Sequence, residues 1–213
     1  MRIGTWNMAG RMTLEHVTVL GRHDVDIWLL TEVARDLDAA YLGYDVVSCS
    51  EVPMQEGKHF AAVLSRVWGS ALPSPHGATA AARVAELDVW CSVLPWRSAS
   101  GDPWSGEGQS GKVEAALAVL GARATGPQVW GGDWNQELEG PVVAGCAAGR
   151  TGVEELLARW SLDVPTRALL HQRGGASIDH VAVRTPPMTV RSETRVRAGG
   201  LSDHDAYVVE VEL

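Results

Sequence analysis

Five short apolar runs in this chain end on polar side chains, and that repetition constrains the fold more than any other feature. The clearest is residues 128–132, which leads into Asp133-Trp134-Asn135. The others end at Thr5-Trp6-Asn7, Thr31-Glu32, Ser177-Ile178-Asp179-His180 and Ser202-Asp203-His204. Apolar runs of four to eight residues bounded by turn formers have the length of buried strands. Gly, Asp and Asn are ordinary turn residues when they occur alone. Five endings of this kind imply strand ends gathered at one shared site.

The rest of the chain fits a sheet-based fold. Residues 25–30 are nearly continuously apolar, as expected of a strand covered on both faces. The last strand alternates, with Tyr207, Val209, Val211 and Leu213 on one face and Val208, Glu210 and Glu212 on the other. Residues 2–7, 44–47, 59–65, 177–184 and 188–196 read as further strands, the last two split by Pro186-Pro187. Residues 78–84 and 86–94 are spaced as hairpin partners, and Pro95 stops the second. Helices are expected over 13–20, with Thr13 as N-cap and Gly21 marking the end, around 35–40, over 111–120 and over 152–160. Residues 96–111 read as a long surface loop and 144–149 as a small-residue loop. About ten strands without regular βα alternation imply two packed sheets with helices outside. With 213 residues, no repeat and no linker, one domain spanning 1–213 is expected.

Composition sets outer limits. Hydrophobic residues at 46% and charged residues at 21% argue against disorder. No apolar run approaches the ~20 residues of a membrane helix. The first residues read directly into a strand rather than a secretory leader. Cys49, Cys91 and Cys146 are scattered and odd in number, which fits a reduced, cytoplasmic setting. The formal charge of −8 and the lack of a Lys/Arg run argue against a long electrostatic track for duplex nucleic acid. They leave room for a local basic groove or a bound divalent cation. Trp28, Trp68, Trp90, Trp130 and Trp160 lie in apolar runs and read as core, whereas Trp96 and Trp104 in the long loop are candidates for stacking on a base.

Taken in order, Trp6-Asn7, Thr31-Glu32, Gly132-Asp133-Trp134-Asn135, Ile178-Asp179-His180 and Ser202-Asp203-His204 resemble the motifs of the endonuclease/exonuclease/phosphatase superfamily. That resemblance implies the DNase I-like fold, an α/β four-layer sandwich of two mixed sheets flanked by helices, and divalent-metal hydrolysis of phosphate esters. The residue types suit that chemistry. A phosphate ester repels hydroxide, so hydrolysis needs positive charge on its oxygens and a positioned water. Glu32 offers a hard oxygen for Mg²⁺ or Mn²⁺, and Asn7 a neutral oxygen or a partner for a metal water. Asp133 is the group expected to orient or deprotonate the attacking water. Asn135, two residues on and on the same side of an extended chain, would hold a phosphate oxygen. His204 would donate to the phosphate, backed by Asp179, while the resemblance places Asp203 near the metal. His180 should face away from Asp179 and serve a structural role. The remaining histidines, His16, His23, His59, His76 and His171, have no motif context and are expected to be solvated or satisfied locally.

The match also has gaps. Family members commonly place a His or Tyr at the end of the strand corresponding to residues 89–94, where this chain has none; Arg97 is the best substitute and Ser92 a lesser one. Ala9 stands where some members have an Asp, which favours one metal over two, while Asp203 keeps a second metal open. The expected activity is nucleic-acid phosphodiester hydrolysis by in-line water attack. A small or lipid-linked phosphate ester is the alternative substrate, and a non-catalytic binding scaffold the alternative class.

Overall fold

A computed structural model describes residues 1–55, 57–172 and 174–213. In chain order the first half contains β1 (Arg2–Asn7), α1 (Leu14–Arg22), β2 (Ile27–Ala34), β3 (Asp45–Cys49), β4 (Pro53–Gln55), β5 (Lys58–Ser65), β6 (Gly69–Ala71), β7 (Thr79–Val84) and β8 (Leu87–Ser92). The second half adds α2 (Gly108–Gly121), β9 (Val129–Asp133), α3 (Ala147–Trp160), β10 (Leu162–Asp163), β11 (Asp179–Arg184), β12 (Thr189–Val196) and β13 (Ala206–Glu212). One sheet runs β12-β13-β1-β2-β5-β3, with β4 also paired to β5; the other runs β10-β11-β9-β8-β7-β6. Both are mixed: β1 and β2 are parallel, as are β8 and β9, among antiparallel neighbours.

Strand alternation explains the layering. Ile3, Ile27, Leu29, Val63 and Val209 from the first sheet meet Val89, Val129, Val181 and Val183 from the second in a buried inter-sheet core. The opposite faces carry the tryptophans. Trp6, Trp28 and Leu30 pack with Leu20 of α1. Trp90, Trp130 and Trp134 pack with Val113, Leu117 and Leu120 of α2 and Val153, Leu157 and Trp160 of α3. The order of layers is therefore helix, sheet, sheet, helices, the α/β four-layer sandwich expected from the resemblance. None of the helices formed by the described residues is long and apolar enough to cross a membrane.

Local structure departs from the sequence reading in several places. Helix α1 begins after Thr13 as expected but runs through Gly21 to Arg22; an internal helical glycine costs only about 1 kcal/mol. Residues 35–40 form no α-helix, and a short 3₁₀ turn follows at Ala40–Leu42. Helix α2 starts at Gly108 inside the supposed loop. Helix α3 starts at Ala147, capped by Cys146, whose Sγ accepts from the Gly149 N–H. The small residues there serve packing: a Cβ on Gly149 would lie 2.5 Å from the Gln136 side-chain oxygen. Trp68 is not core; it precedes the three-residue edge strand β6 and is 74% exposed.

The Gly131-Gly132 pair is required by close approach. A Cβ on Gly131 would lie 2.6 Å from both the His180 carbonyl and Leu29 Cδ1. Gly132 has φ of 119°, and a Cβ there would lie 2.2 Å from the Ser92 carbonyl. No L side chain fits that space or that backbone conformation without displacing β8. The substitution Gly132→Ala is expected to cost about 2–4 kcal/mol of stability, combining overpacking with backbone strain. Urea unfolding at constant slope checks this; an unchanged midpoint would contradict it.

Candidate active site

The end of β1 lies beside β2 in the first sheet, with Asn7 paired to Thr31, three residues before β2 ends. In the second sheet β9 and β11 run antiparallel, with Asp133 directly opposite Asp179. Because the Trp134 N–H donates to the Ile178 carbonyl, the Asp133–Asp179 pair is of the non-hydrogen-bonded type, in which facing side chains come closest. Both aspartates continue the inward-facing series Val129, Gly131 and Val183, Val181. Their side chains therefore enter the seam between the sheets, and Trp134 and His180 point outward.

Asn7 closes that seam. Its Nδ2 donates to Asp133 Oδ2 at 3.0 Å and to Glu32 Oε1 at 3.1 Å, while its Oδ1 accepts from the Ala9 N–H at 2.9 Å. In this arrangement Asn7 offers carboxylates its amide protons and gives its oxygen to the chain. Glu32 arrives by a break in alternation. Ile27 and Leu29 face the inter-sheet core and Trp28 and Leu30 face α1, so position 32 belongs to the outer face. A left-handed φ of 49° turns it back toward Asn7, and Val33 takes the outer position instead. Strained backbone of this kind costs roughly 1–3 kcal/mol and concentrates at working sites.

His204 comes from the loop before β13. Its ring Nδ1 lies 2.6 Å from Asp179 Oδ2, which leaves Nε2 as its remaining polar atom. The loop is pinned by Trp6, whose indole N–H donates to the His204 carbonyl, and by Ser202 Oγ, which accepts from the His204 N–H. Ser177 Oγ accepts from the Asp179 N–H and fixes the backbone at Asp179. Ligand-capable atoms of Asp133, Asp179 and His204 all lie within 4.8 Å of one another.

The field in this seam is strong. Burial pushes the Asp133 carboxyl up to about 6, helped by the charge of Asp179 and opposed by His204, Asn7 and Asn135. Burial disfavours charge on His204, but Asp179 and then Asp133 outweigh it and hold the imidazole up at about 10. Asp179 is pushed upward by burial, against the pull of His204. The neutral-pH state thus has an imidazolium facing the Asp133 carboxylate in a buried seam.

The other sequence candidates fall at varying distances from this centre. Asn135 does not follow strand periodicity: β9 ends at Asp133, and Asn135 adopts a left-handed φ of 51°. Its backbone N–H donates to Asp133 Oδ1 and its Nδ2 to the Leu94 carbonyl, so it braces Asp133 and β8 together. Asp203 is exposed and adds negative charge to the field on Asp179 and His204. Ser92 is fully buried and bonded to Thr79 and the Trp130 N–H, which removes it as a phosphate contact. Arg97 is exposed and takes no part in the hydrogen bonds that join the site. Trp96 and Trp104 stand beyond Leu94. Trp104 stacks on His76 and meets Phe60 and Trp96 edge-on, closing the end of the inter-sheet layer.

Residues 4–204 match the Endonuclease/Exonuclease/phosphatase family. The chain belongs to that family. Its members are phosphoric ester hydrolases, nucleases or phosphatases. Solved structures share the fold across the whole chain. An AP endonuclease from Archaeoglobus fulgidus is 18% identical with a TM-score of 0.75, covering 100% of both chains. The endonuclease domain of TRAS1, a telomere-specific non-LTR retrotransposon, is 15% identical with a TM-score of 0.65, covering 100% of this chain and 98% of the other. A mannosyl-6-phosphatase from Bacteroides thetaiotaomicron is 16% identical with a TM-score of 0.59, again covering 100% of both. No curated protein matches the sequence at a significant level.

Sequence reasoning passed over two contributors to this family site. Ser177 stood inside a quoted motif, two residues before Asp179, but had no role assigned to it. His171, set aside as a solvated histidine, meets the His204 ring edge-on with centroids 5.4 Å apart. Only the fold brings it there.

If Asp179 holds the charge on His204, Asp179→Asn should lower the imidazole midpoint by about 1–3 pH units, since burial would then act without its counter-charge. Ring-carbon NMR titration of His204 reads this directly. A midpoint unchanged from wild type would contradict the pairing.

Proposed function

We propose that this chain hydrolyses phosphodiester bonds of nucleic acid, with Asp133 directing a water for in-line attack at phosphorus. The observation carrying this reading is the buried convergence of Asp133 with the His204–Asp179 pair at the seam of two sheets. Asp133 accepts from Asn7 and from the Asn135 N–H, which fixes its rotamer and keeps both oxygens near the seam. A carboxyl raised to about 6 by burial is ionised at neutral pH yet basic enough to take a proton from water. His204, held as an imidazolium by Asp179, donates through Nε2 to a non-bridging phosphate oxygen as charge builds there.

The residues also fit a divalent cation. Asp179 Oδ1 is buried without a hydrogen-bond partner among the described residues, Asp133 and Asp179 bring hard carboxylate oxygens within 4.8 Å of the His204 ring, and Glu32 is tied to Asp133 through Asn7. Glu32 and Asp203 would hold Mg²⁺ or Mn²⁺, with Asn7 orienting Glu32. When bound, such an ion supplies positive charge against the phosphate oxygens.

A small phosphate ester is the second reading. The −8 formal charge favours it, as does the resemblance in fold to a protein described as a mannosyl-6-phosphatase. A panel of single-stranded DNA, plasmid, RNA and sugar phosphates, with Mg²⁺, Mn²⁺ or chelator, separates the two. Turnover on nucleic acid that chelator abolishes is the expected result. Asp133→Asn and His204→Ala should each lose about 10²–10⁴-fold in kcat with the fold retained by circular dichroism. Full activity in both variants would remove these roles.

A further inference from the structure

Beside His204 the structure holds an open cleft of about 460 Å³ that the catalytic reading does not use. Its lining includes Leu170, His171, Gln172, Arg195, Arg197 and Asp205. One wall includes residues 170–172 and 174, beside the Leu170–Ala176 bridge. The other is the loop that runs from the end of β12 to His204. Gln172 Nε2 ties the walls together by donating to the Ser202 carbonyl. Tyr207 donates to the Leu170 carbonyl and anchors the turn on the sheet.

The charges in this cleft run against the balance of the whole chain, which has 26 acidic and 18 basic residues. Asp205 is its acidic lining residue, and both its oxygens are engaged: Oδ1 accepts from the Ala198 N–H and Oδ2 from Arg195 Nε at 2.6 Å. Asp205 is almost wholly buried, so it works as a fixed anchor for the Arg195 guanidinium, whose two terminal amino groups are left to donate. Arg197 lines the same cleft two residues on, exposed, with no ion-pair partner among the described residues. His171 lines the same cleft, and its ring lies 5.4 Å from that of His204. Leu170, 56% exposed, supplies an apolar wall.

We infer that this cleft is an anion subsite for a second phosphate group of the substrate, one unit along from the phosphate at His204. It rests on the phosphoesterase reading and narrows it to substrates with two phosphates separated by a sugar-sized spacer. Arg197 is the specificity-determining donor, Arg195 is held ready by Asp205, and Leu170 packs against the spacer.

The test uses thymidine 5′-(p-nitrophenyl phosphate) and the same ester bearing a 3′-phosphate, each assayed with Mn²⁺ on wild type and Arg197→Ala. Wild type should prefer the doubly phosphorylated ester through KM. Arg197→Ala should raise that KM about tenfold, the loss of one charge-assisted contact, and leave the singly phosphorylated ester unchanged in both kcat and KM. Arg197→Lys should restore part of the preference. Equal effects on the two esters, or none, would overturn the inference. Anisotropy with labelled oligothymidylate in chelator adds an arm independent of turnover, where Arg197→Ala should weaken binding and reduce the salt slope by about one. If wild type cleaves neither ester, the phosphoesterase reading fails and this arm decides the cleft alone; identical binding by both proteins overturns it. Competition by glucose 1,6-bisphosphate at micromolar concentration would assign the cleft to small bisphosphorylated esters, and its absence to a nucleic-acid chain.

Discussion

The bridge from Asn7 to Glu32 and Asp133 is the contact on which the rest of the site depends. One amide group, buried almost completely, donates to a carboxylate of its own sheet and to one of the facing sheet. Without it, Glu32 and Asp133 would lose the donor they share, and a buried carboxylate oxygen would be left without its amide partner. The inter-sheet core brings the strand ends together. The amide makes their approach tolerable, and the His204–Asp179 pair adds the compensating positive charge.

The backbone is bent to the same end. Ala9, Glu32 and Asn135 all have φ near 50°, and each sits at or beside a strand end that enters the seam. Ala9 turns its N–H onto Asn7, Glu32 leaves its expected face, and Asn135 curls its N–H onto Asp133. Gly131 and Gly132 let β8, β9 and β11 approach closely enough for these bonds to form. Left-handed backbone also occurs at Asp24, Ala85 and Ser161, but at Ala9, Glu32 and Asn135 it serves to hold polar groups at the seam.

The layering was legible because alternation is a local property. Trp6, Trp28, Trp130 and Trp134 fall on the helix-covered faces, as their parity along the strands requires, and the central strands lie close to their expected limits. The centre was legible for a related reason: Asn7, Asp133, Asp179 and His204 each end or follow an apolar run. Positions that depend on non-local geometry were not legible. Glu32 reaches the seam only through a left-handed residue, and Asn135 braces Leu94 instead of extending the strand. Ser92 looked available but is consumed by Thr79 and Trp130. The start of α3 was hidden because Gly145 and Gly149 are small to suit Gln136, a partner that no periodicity reveals.

Asn7 and Asp133 belong to different sheets, so their hydrogen bond spans a boundary that the apolar side chains merely fill. Valine and leucine surfaces tolerate a slight slide or rotation of one layer over the other; a 3.0 Å amide contact does not. The buried polar cluster is therefore a vernier for the sandwich, where small misalignment of the halves would register long before the oily interior noticed it.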